Sequence, residues 1–499
     1  MKILTLAYLF CAASLLPLVV VWARDDLRDH LLILLTACHA MAAGLAGSLP
    51  ALLHTGPGSA AALLTGYAFM SCLWASSPHR APFGALTLVS LLYLFSVAAT
   101  VDRAFLVCVV FAPSPVFAGV TLYQSIRHSD PARRGSLFFN TNHAGAYLAL
   151  QVFACYWLAA HGPLWIAAFL PLLAVSLALT RCRAAWVGVT AGACVYAVQS
   201  GQVHPLGLLG VLVVSAAAAA HVKDAWSVRS ALFLAAAELS RQRPLFGWGL
   251  DAFRQQQFQA WESLTARHPR LKHRDWTPQA HRVHNDFLEY TLELGNVGVL
   301  FLAWPLFNLP WTADPILSAA LTCVLADAAF FFPLREVHTA APFWILAAAL
   351  AGYAPEAVAP PSWLIAAAVA AVASRILYQF GIKKLLGLIH YRMDDIPRAV
   401  RMDPYNGKYL HDRYLETVIR QPATALASAM RALEHFDGAK CLWGVHDQYA
   451  RAVFRQGNLK IAREAVARSL ELNPDIEHTQ ALKAVLDDLE KKHHDRGRC

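Results

Sequence analysis

The run Pro82 to Val101, PFGALTLVSLLYLFSVAATV, carries no charged side chain. Its length matches the roughly 20 helical residues needed to cross the hydrocarbon core of a bilayer. It has many companions. Comparable apolar runs lie near 1–23, 31–53, 58–76, 104–124, 143–160, 163–180, 184–200 and 204–220, and again near 286–308, 312–332, 340–355 and 361–381. The first has Lys2 ahead of an apolar core, as a secretory signal does. Its apolar stretch is long, no small-x-small site ends it, and further runs follow, so it reads as a membrane helix. The expected fold is all-α, a polytopic membrane helical bundle of about 12–13 spans.

Composition carries the same message. Hydrophobic residues make up 57% of the 499 and charged residues 15%, against roughly 25% charged in ordinary globular proteins. Mean hydropathy is +0.41. A soluble protein so poor in charge lacks the polar surface to cover itself. That excludes a cytosolic enzyme, a disordered scaffold and a disulfide-stapled secreted domain. The ten cysteines include no CxxC pair, which argues against a zinc or thioredoxin-type site. The net charge of +9 suits phosphates or anionic lipid headgroups, and is too dispersed to argue for nucleic acid.

Two segments depart from the apolar pattern. Residues 221–283 form a long polar interval with Trp261, Trp276, His268, His273, His281 and several arginines. An interval of that size in a compact bundle is usually functional. Aromatic faces beside cations and imidazoles suit a sugar-phosphate ligand, and Trp226 to Leu239 reads as an amphipathic helix on the headgroups. The second departure begins near Tyr391 and divides the chain into a membrane domain, 1–390, and a soluble helical tail, 391–499. Gly457 to Pro474, GNLKIAREAVARSLELNP, reads as the second half of a tetratricopeptide repeat, with Gly457 at the turn, Ala462 at the close packing point and Pro474 at the end. Asp403-Pro404-Tyr405-Asn406 resembles an earlier repeat end, and the intervening unit is degenerate around Asp437-Gly438. Such arrays bind partners.

Polar clusters at membrane depth are expensive and are site candidates for that reason. Four stand out: Arg134 to Gly145 (RGSLFFNTNHAG); Thr180 to Trp186 (TRCRAAW); Arg229 with Arg243 to Gly249 (RPLFGWG); and His281 to Glu289 (HRVHNDFLE), followed by Glu293-Leu294-Gly295. In this order and spacing they resemble the O-antigen ligase superfamily, which includes O-antigen polymerases and O-linked protein oligosaccharyltransferases. The resemblance covers about residues 80–350. It rests on an Asn-x-Asn element opening a helix, a Ser-Arg-x-x-Trp-like element, Pro-Leu-x-Gly-x-Gly, and a large periplasmic loop ending in His-Asn-x-x-Leu. Cys182 stands where that family commonly has Ser, which makes Arg183 the better match and leaves Arg181 as its neighbour.

The resemblance implies a metal-independent inverting glycosyltransferase without cofactor, in a bacterial inner membrane. It would move a glycan from undecaprenyl diphosphate to a lipid A-core sugar or a protein hydroxyl at the periplasmic face. Fixed guanidinium groups suit a diphosphate leaving group, and Arg183 and Arg229 are the expected pair. A positioned imidazole suits proton removal from a hydroxyl, and His284 is the expected base. Arg134, Asn140, Asn142, His143, Arg181, His281 and Asn285 are expected to bind substrate.

Plainer roles stand beside these. Arg183 has the position of a snorkelling helix-end arginine, His284 of a helix cap, and Asn140 and Asn142 of N-caps. His281 competes as the base. Gly247 and Gly249 read as turn formers, and Arg335 and His338 have weaker support as members of the site. A polymerase, or a lipid-linked glycan flippase of another class, are the alternative functions; no inverted repeat is detectable for the latter. Span parity places the 221–283 interval outside with the four motifs. Arg24, Arg28, Arg80, Arg127, Arg133 and Arg134 then fall outside too, against the positive-inside tendency.

Overall fold

The structure is a computed structural model that describes residues 2–18, 26–45, 56–76, 80–128, 136–138, 140–201, 223–268, 282–352, 382–403, 442–472 and 477–496, with 378, 409, 413, 414 and 418 as isolated positions. The runs expected at 204–220 and 361–381 lie outside these residues, Tyr378 apart. So do Arg24, Arg133, Arg134, His273, Trp276, His281, Pro404, Tyr405, Asn406, Asp437, Gly438 and Pro474.

Every regular element among the described residues is helical. In chain order they are α1 (Lys2–Leu18), α2 (Asp26–Leu45), α3 (Gly56–Ser71), α4 (Ala81–Ala98), α5 (Arg103–Phe111), α6 (Ser114–Arg127), α7 (Thr141–His161), α8 (Phe169–Thr180) and α9 (Arg183–Gln199). After them come α10 (Lys223–Gln242), α11 (Phe253–Arg267), α12 (Asp286–Phe307), α13 (Pro315–Ala328) and α14 (Val337–Ala351). Among the described residues, three stretches are long and apolar enough to cross a membrane: α4, the α5–α6 pair and α12. Helices α1, α13 and α14, and the stretch Leu164–Thr180, are apolar but shorter.

The boundaries follow local chemistry. Asp102, Asn140, Asn285 and Asp314 each accept a backbone N–H of the helix they precede, which satisfies donors that a helix start leaves orphaned. Pro315 follows its cap at the first helical position, where its missing N–H costs nothing. Pro113 and Pro115 interrupt 104–124, so that run folds as α5 and α6. The apolar run 312–332 is helical only as far as Ala328, and the chain then turns through Pro333 before α14 begins.

Helix α7 is buried along most of its length and sits among α5, α8, α9, α13 and α14. Helices α9 and α13 approach closely because Gly188 and Gly192 face the carbonyls of Cys323 and Ala319, where a Cβ would collide. The outer surface is apolar as well. Leu300, Trp304 and Phe307, along one face of α12, are 65%, 53% and 81% exposed. An uncovered apolar stripe of this kind needs an apolar solvent or a partner.

The 221–283 interval is largely helical where described. Helices α10 and α11 pack together and onto the start of α12 through Leu232, Ala236, Leu239, Phe253, Leu264 and Leu292. The amphipathic segment from Trp226 to Leu239 falls inside α10. In the tail, α15 (Lys383–Arg392) and α16 (Ile396–Met402) precede a hairpin of α17 (Leu442–Arg455) and α18 (Leu459–Leu472), and α19 (Glu477–Arg496) follows. Gly457 turns the hairpin at φ 81°. Ala450, Ala462 and Leu486 are buried at its core, and Ser469 is buried too.

Candidate functional site

The site is organised around a break in α12. Gly295 has φ 67° and ψ 179° inside the helix, an extended geometry at positive φ that only glycine adopts readily. The freed backbone groups pair with Pro244 to Gly249, much as two strands would. Trp248 N–H donates to Leu292 (2.9 Å), Gly249 N–H to Glu293 (2.8 Å), Asn296 N–H to Pro244 (2.8 Å) and Val297 N–H to Leu245 (3.2 Å). A Cβ on Gly247 would overlap the Glu293 carbonyl, and one on Gly295 the Leu245 carbonyl. The Pro-Leu-x-Gly-x-Gly and Glu-Leu-Gly elements therefore form one joint. Gly247 and Gly249, both at positive φ, are turn formers in it.

Ahead of that joint lies a buried charge network. Arg80 donates to Asp251 (2.6 Å), and Arg282 donates to Asp251 (3.2 Å) and Glu289 (3.0 Å). Arg335 pairs with Glu293 and lies over the Tyr290 ring at 4.0 Å. Burial alone would raise the Asp251 carboxyl, but Arg80, Arg254 and Arg282 outweigh it and hold it well below the usual range. The Arg282 guanidinium is disfavoured by burial, yet Glu289 and Asp251 hold it charged more firmly than in water. A cavity of about 30 Å³ borders Arg80, Asp251, Arg282 and Arg335. That volume suits water and is too small for a sugar.

His284 sits between this network and α12, with φ 62°. A left-handed non-glycine backbone costs roughly 1–3 kcal/mol and is held only where its surroundings insist. Here they do. Val283 N–H donates to Glu289 (2.8 Å), and Asn285 Nδ2 donates to the Ala329 carbonyl (2.9 Å). Asn285 Oδ1 also accepts from Leu288 N–H (3.0 Å), so Asn285, not His284, caps α12. The His284 ring meets Phe332 edge-to-face at 5.0 Å, and its buried Nδ1 has no hydrogen-bond partner among the described residues. Burial first, then Arg229, with a smaller push from His143 and against the pull of Glu289, moves its pKa down to about 4. The imidazole is neutral at neutral pH.

The same phenylalanines connect His284 to α7. His143 is buried and lies edge-on to Phe331 (5.1 Å) and Phe332 (5.5 Å). Its Nδ1 is 3.1 Å from His338 Nε2 and 3.9 Å from a Glu336 oxygen. His143, Glu336 and His338 form the group among the described residues whose atoms are spaced to hold a metal ion. Asn140, exposed, caps α7 by accepting from Asn142 N–H (2.9 Å). The half-buried Asn142 offers its carbonyl to the Cys182 thiol (3.8 Å), and Gly145 faces Cys182 too closely to carry a side chain. The first and second motifs are thereby packed together.

Arg181 and Arg183 are both exposed at the α8–α9 turn, Arg181 at φ 54° and Arg183 as the first residue of α9. Arg229 is half-buried on α10, within electrostatic reach of His284, Arg183, Asp327 and the Cys182 thiol. Burial and then Arg183 lower its pKa, while Cys182 and Asp327 raise it. Burial, then Asp327, pushes the Cys182 thiol up to about 12, which leaves it neutral rather than nucleophilic. Of the expected site residues, Arg229 is within electrostatic reach of both His284 and Arg183, His143 is within reach of His284, Asn285 follows His284, and Asn142 meets Cys182, while Asn140 and Arg181 are exposed. Arg134 and His281 lie outside the described residues.

The sequence reading missed Arg28, Asp251, Asp327, Phe331, Phe332 and Glu336. A signal existed for Asp327, an acid inside an apolar run; its buried Oδ1 has no hydrogen-bond partner among the described residues. No protein-family model, curated protein or solved structure matches this chain.

Proposed function

We propose that this chain is a membrane glycosyltransferase of the O-antigen ligase type, acting at the periplasmic face of a bacterial inner membrane. The observation that carries the reading is the meeting of a neutral, half-buried His284 with Arg229 and His143, from three separate sequence motifs, in one place. In this reaction the acceptor hydroxyl oxygen attacks the anomeric carbon of an undecaprenyl-diphosphate-linked glycan. The bond from that carbon to the diphosphate oxygen breaks, and the diphosphate leaves with the electron pair. His284 takes the hydroxyl proton, which needs a neutral imidazole. Arg229 and Arg183 stabilise the charge that builds on the diphosphate, aided by the positive ends of α7, α9 and α12.

The polytopic bundle of about 12–13 spans belongs to this proposal, with the three long apolar helices and the exposed apolar stripe of α12 as its support. Two of the arginines that conflict with the positive-inside tendency are engaged within the protein. Arg28 is buried against His338, and the half-buried Arg80 is paired with Asp251, so neither is a free surface charge. The α17–α18 hairpin, turned at Gly457, supports a tetratricopeptide-like tail, which favours a protein as partner or acceptor. The test is transfer in detergent from a defined undecaprenyl-diphosphate glycan to lipid A-core or to a protein acceptor. A flippase gives no transfer at all, and that result would overturn the proposal.

A further inference from the structure

Arg28 Nη1 lies 3.2 Å from His338 Nδ1, and both side chains are buried. A guanidinium has only donors, so this nitrogen of His338 must accept. An imidazole with one accepting nitrogen is neutral and carries its proton on the other. His338 Nε2–H therefore donates to His143 Nδ1 across 3.1 Å. His143 Nδ1 accepts in turn, and the His143 proton is on Nε2. Phe138 stacks on His338 at 4.2 Å, and the Arg28 guanidinium lies over the Phe138 ring, 4.8 Å from its centre.

The same atoms invite a metal reading. The separations of 3.1 and 3.9 Å to His143 Nδ1 are near the roughly 3.3 Å ligand–ligand edge that zinc–nitrogen bonds of about 2.0–2.1 Å imply. Arg28 argues against it. A ligating histidine keeps its proton on the nitrogen away from the metal and donates it to a carboxylate, carbonyl or water. In His338 that nitrogen faces a donor, and a cation in the cluster would also sit beside a buried guanidinium.

We propose that Arg28 and His338 are positioning residues that lock His143 in its Nε2–H tautomer, so that His143 enters the site as a hydrogen-bond donor to the diphosphate and not as a second base. The placement in catalysis rests on the glycosyltransferase reading; the tautomer does not. It divides the labour between two imidazoles that share the Phe331–Phe332 wall: one gives a hydrogen bond, the other accepts a proton.

The test has two independent parts. Magic-angle-spinning NMR of the full-length, ¹⁵N-histidine-labelled protein in liposomes, with His143 assigned by difference against His143→Gln, should show a protonated Nε2 and a bare Nδ1 on His143. A Nδ1–H tautomer, or a histidinium at neutral pH, overturns the proposal whatever the enzyme does. In the transfer assay, His338→Gln should stay within about threefold of wild type, because an amide can accept from Arg28 and donate to His143, whereas His338→Leu should lower kcat by about tenfold. Arg28→Glu, an acceptor in place of the donor, should reverse the tautomer in the NMR signal. One equivalent of zinc retained by purified protein, with His338→Gln losing both zinc and activity, would overturn the proposal in favour of a metal centre. If the tautomer is as stated but no variant shows transfer and wild type is also inactive, the glycosyltransferase reading fails and the relay stands.

Discussion

Arg282 and Glu289 are joined twice: the guanidinium donates to the Glu289 carboxylate at 3.0 Å, and the N–H of the next residue, Val283, donates to the same carboxylate at 2.8 Å. This double attachment anchors the backbone just before His284, where the chain takes its left-handed turn. Charge network and candidate base are thus parts of one device.

Glu289→Ala should destabilise the protein strongly, by about 3–5 kcal/mol, since it leaves a buried guanidinium short of a partner. Thermal unfolding of the detergent-solubilised protein measures this. An unchanged Tm would mean that the network is not holding the site.

His284→Ala should lower transfer by about 10²–10⁴-fold with normal expression and membrane insertion. His284→Asn should be equally impaired, because Asn285 already caps α12. His281→Ala should be milder. Near-normal transfer by His284→Asn with a dead His281→Ala would move the base to His281.

The pH profile follows from the downward displacement of His284 to about 4. The active form is unprotonated, so activity is lost as pH falls through that value. The kcat/KM profile should be flat from pH 8 to roughly 5.5 and decline below it. Bound diphosphate favours the imidazolium, so the acid limb of kcat should lie at higher pH than that of kcat/KM. An acid limb of kcat/KM near 6.5 would show an ordinary, solvated histidine.

Arg229→Lys and Arg183→Lys should both impair transfer severely despite keeping the charge, because an ammonium cannot reproduce the planar fork on a diphosphate. Arg183 is exposed. If Arg183→Lys is neutral while Arg229→Lys is not, Arg183 is a snorkelling residue and Arg229 alone serves the leaving group.

The side of the membrane is tested by cysteine labelling in the 221–283 interval. Gln257, central in that interval, is buried, whereas His268 is exposed and is the better position. His268→Cys, in a background lacking other cysteines, should label in intact cells stripped of the outer membrane. Labelling only after inner-membrane permeabilisation would invert the orientation and remove the periplasmic site.

The helical class, the positions of most helices and the Asn140 cap were legible in the amino-acid order alone. Those are local properties: apolar runs of spanning length, and an Asn before the start of α7. It also pointed to His284, Arg229 and His143, since polar groups in apolar surroundings have few structural uses. That Pro244 to Gly249 and Glu293 to Gly295 are halves of one joint emerges only in the packed chain, because a glycine required by a neighbouring backbone carries no mark of which backbone it is. The same holds for Arg28 with His338, 310 residues apart in the chain. Pairing of buried polar groups is a property of the packed state, and a sequence states which groups need partners without saying which will meet.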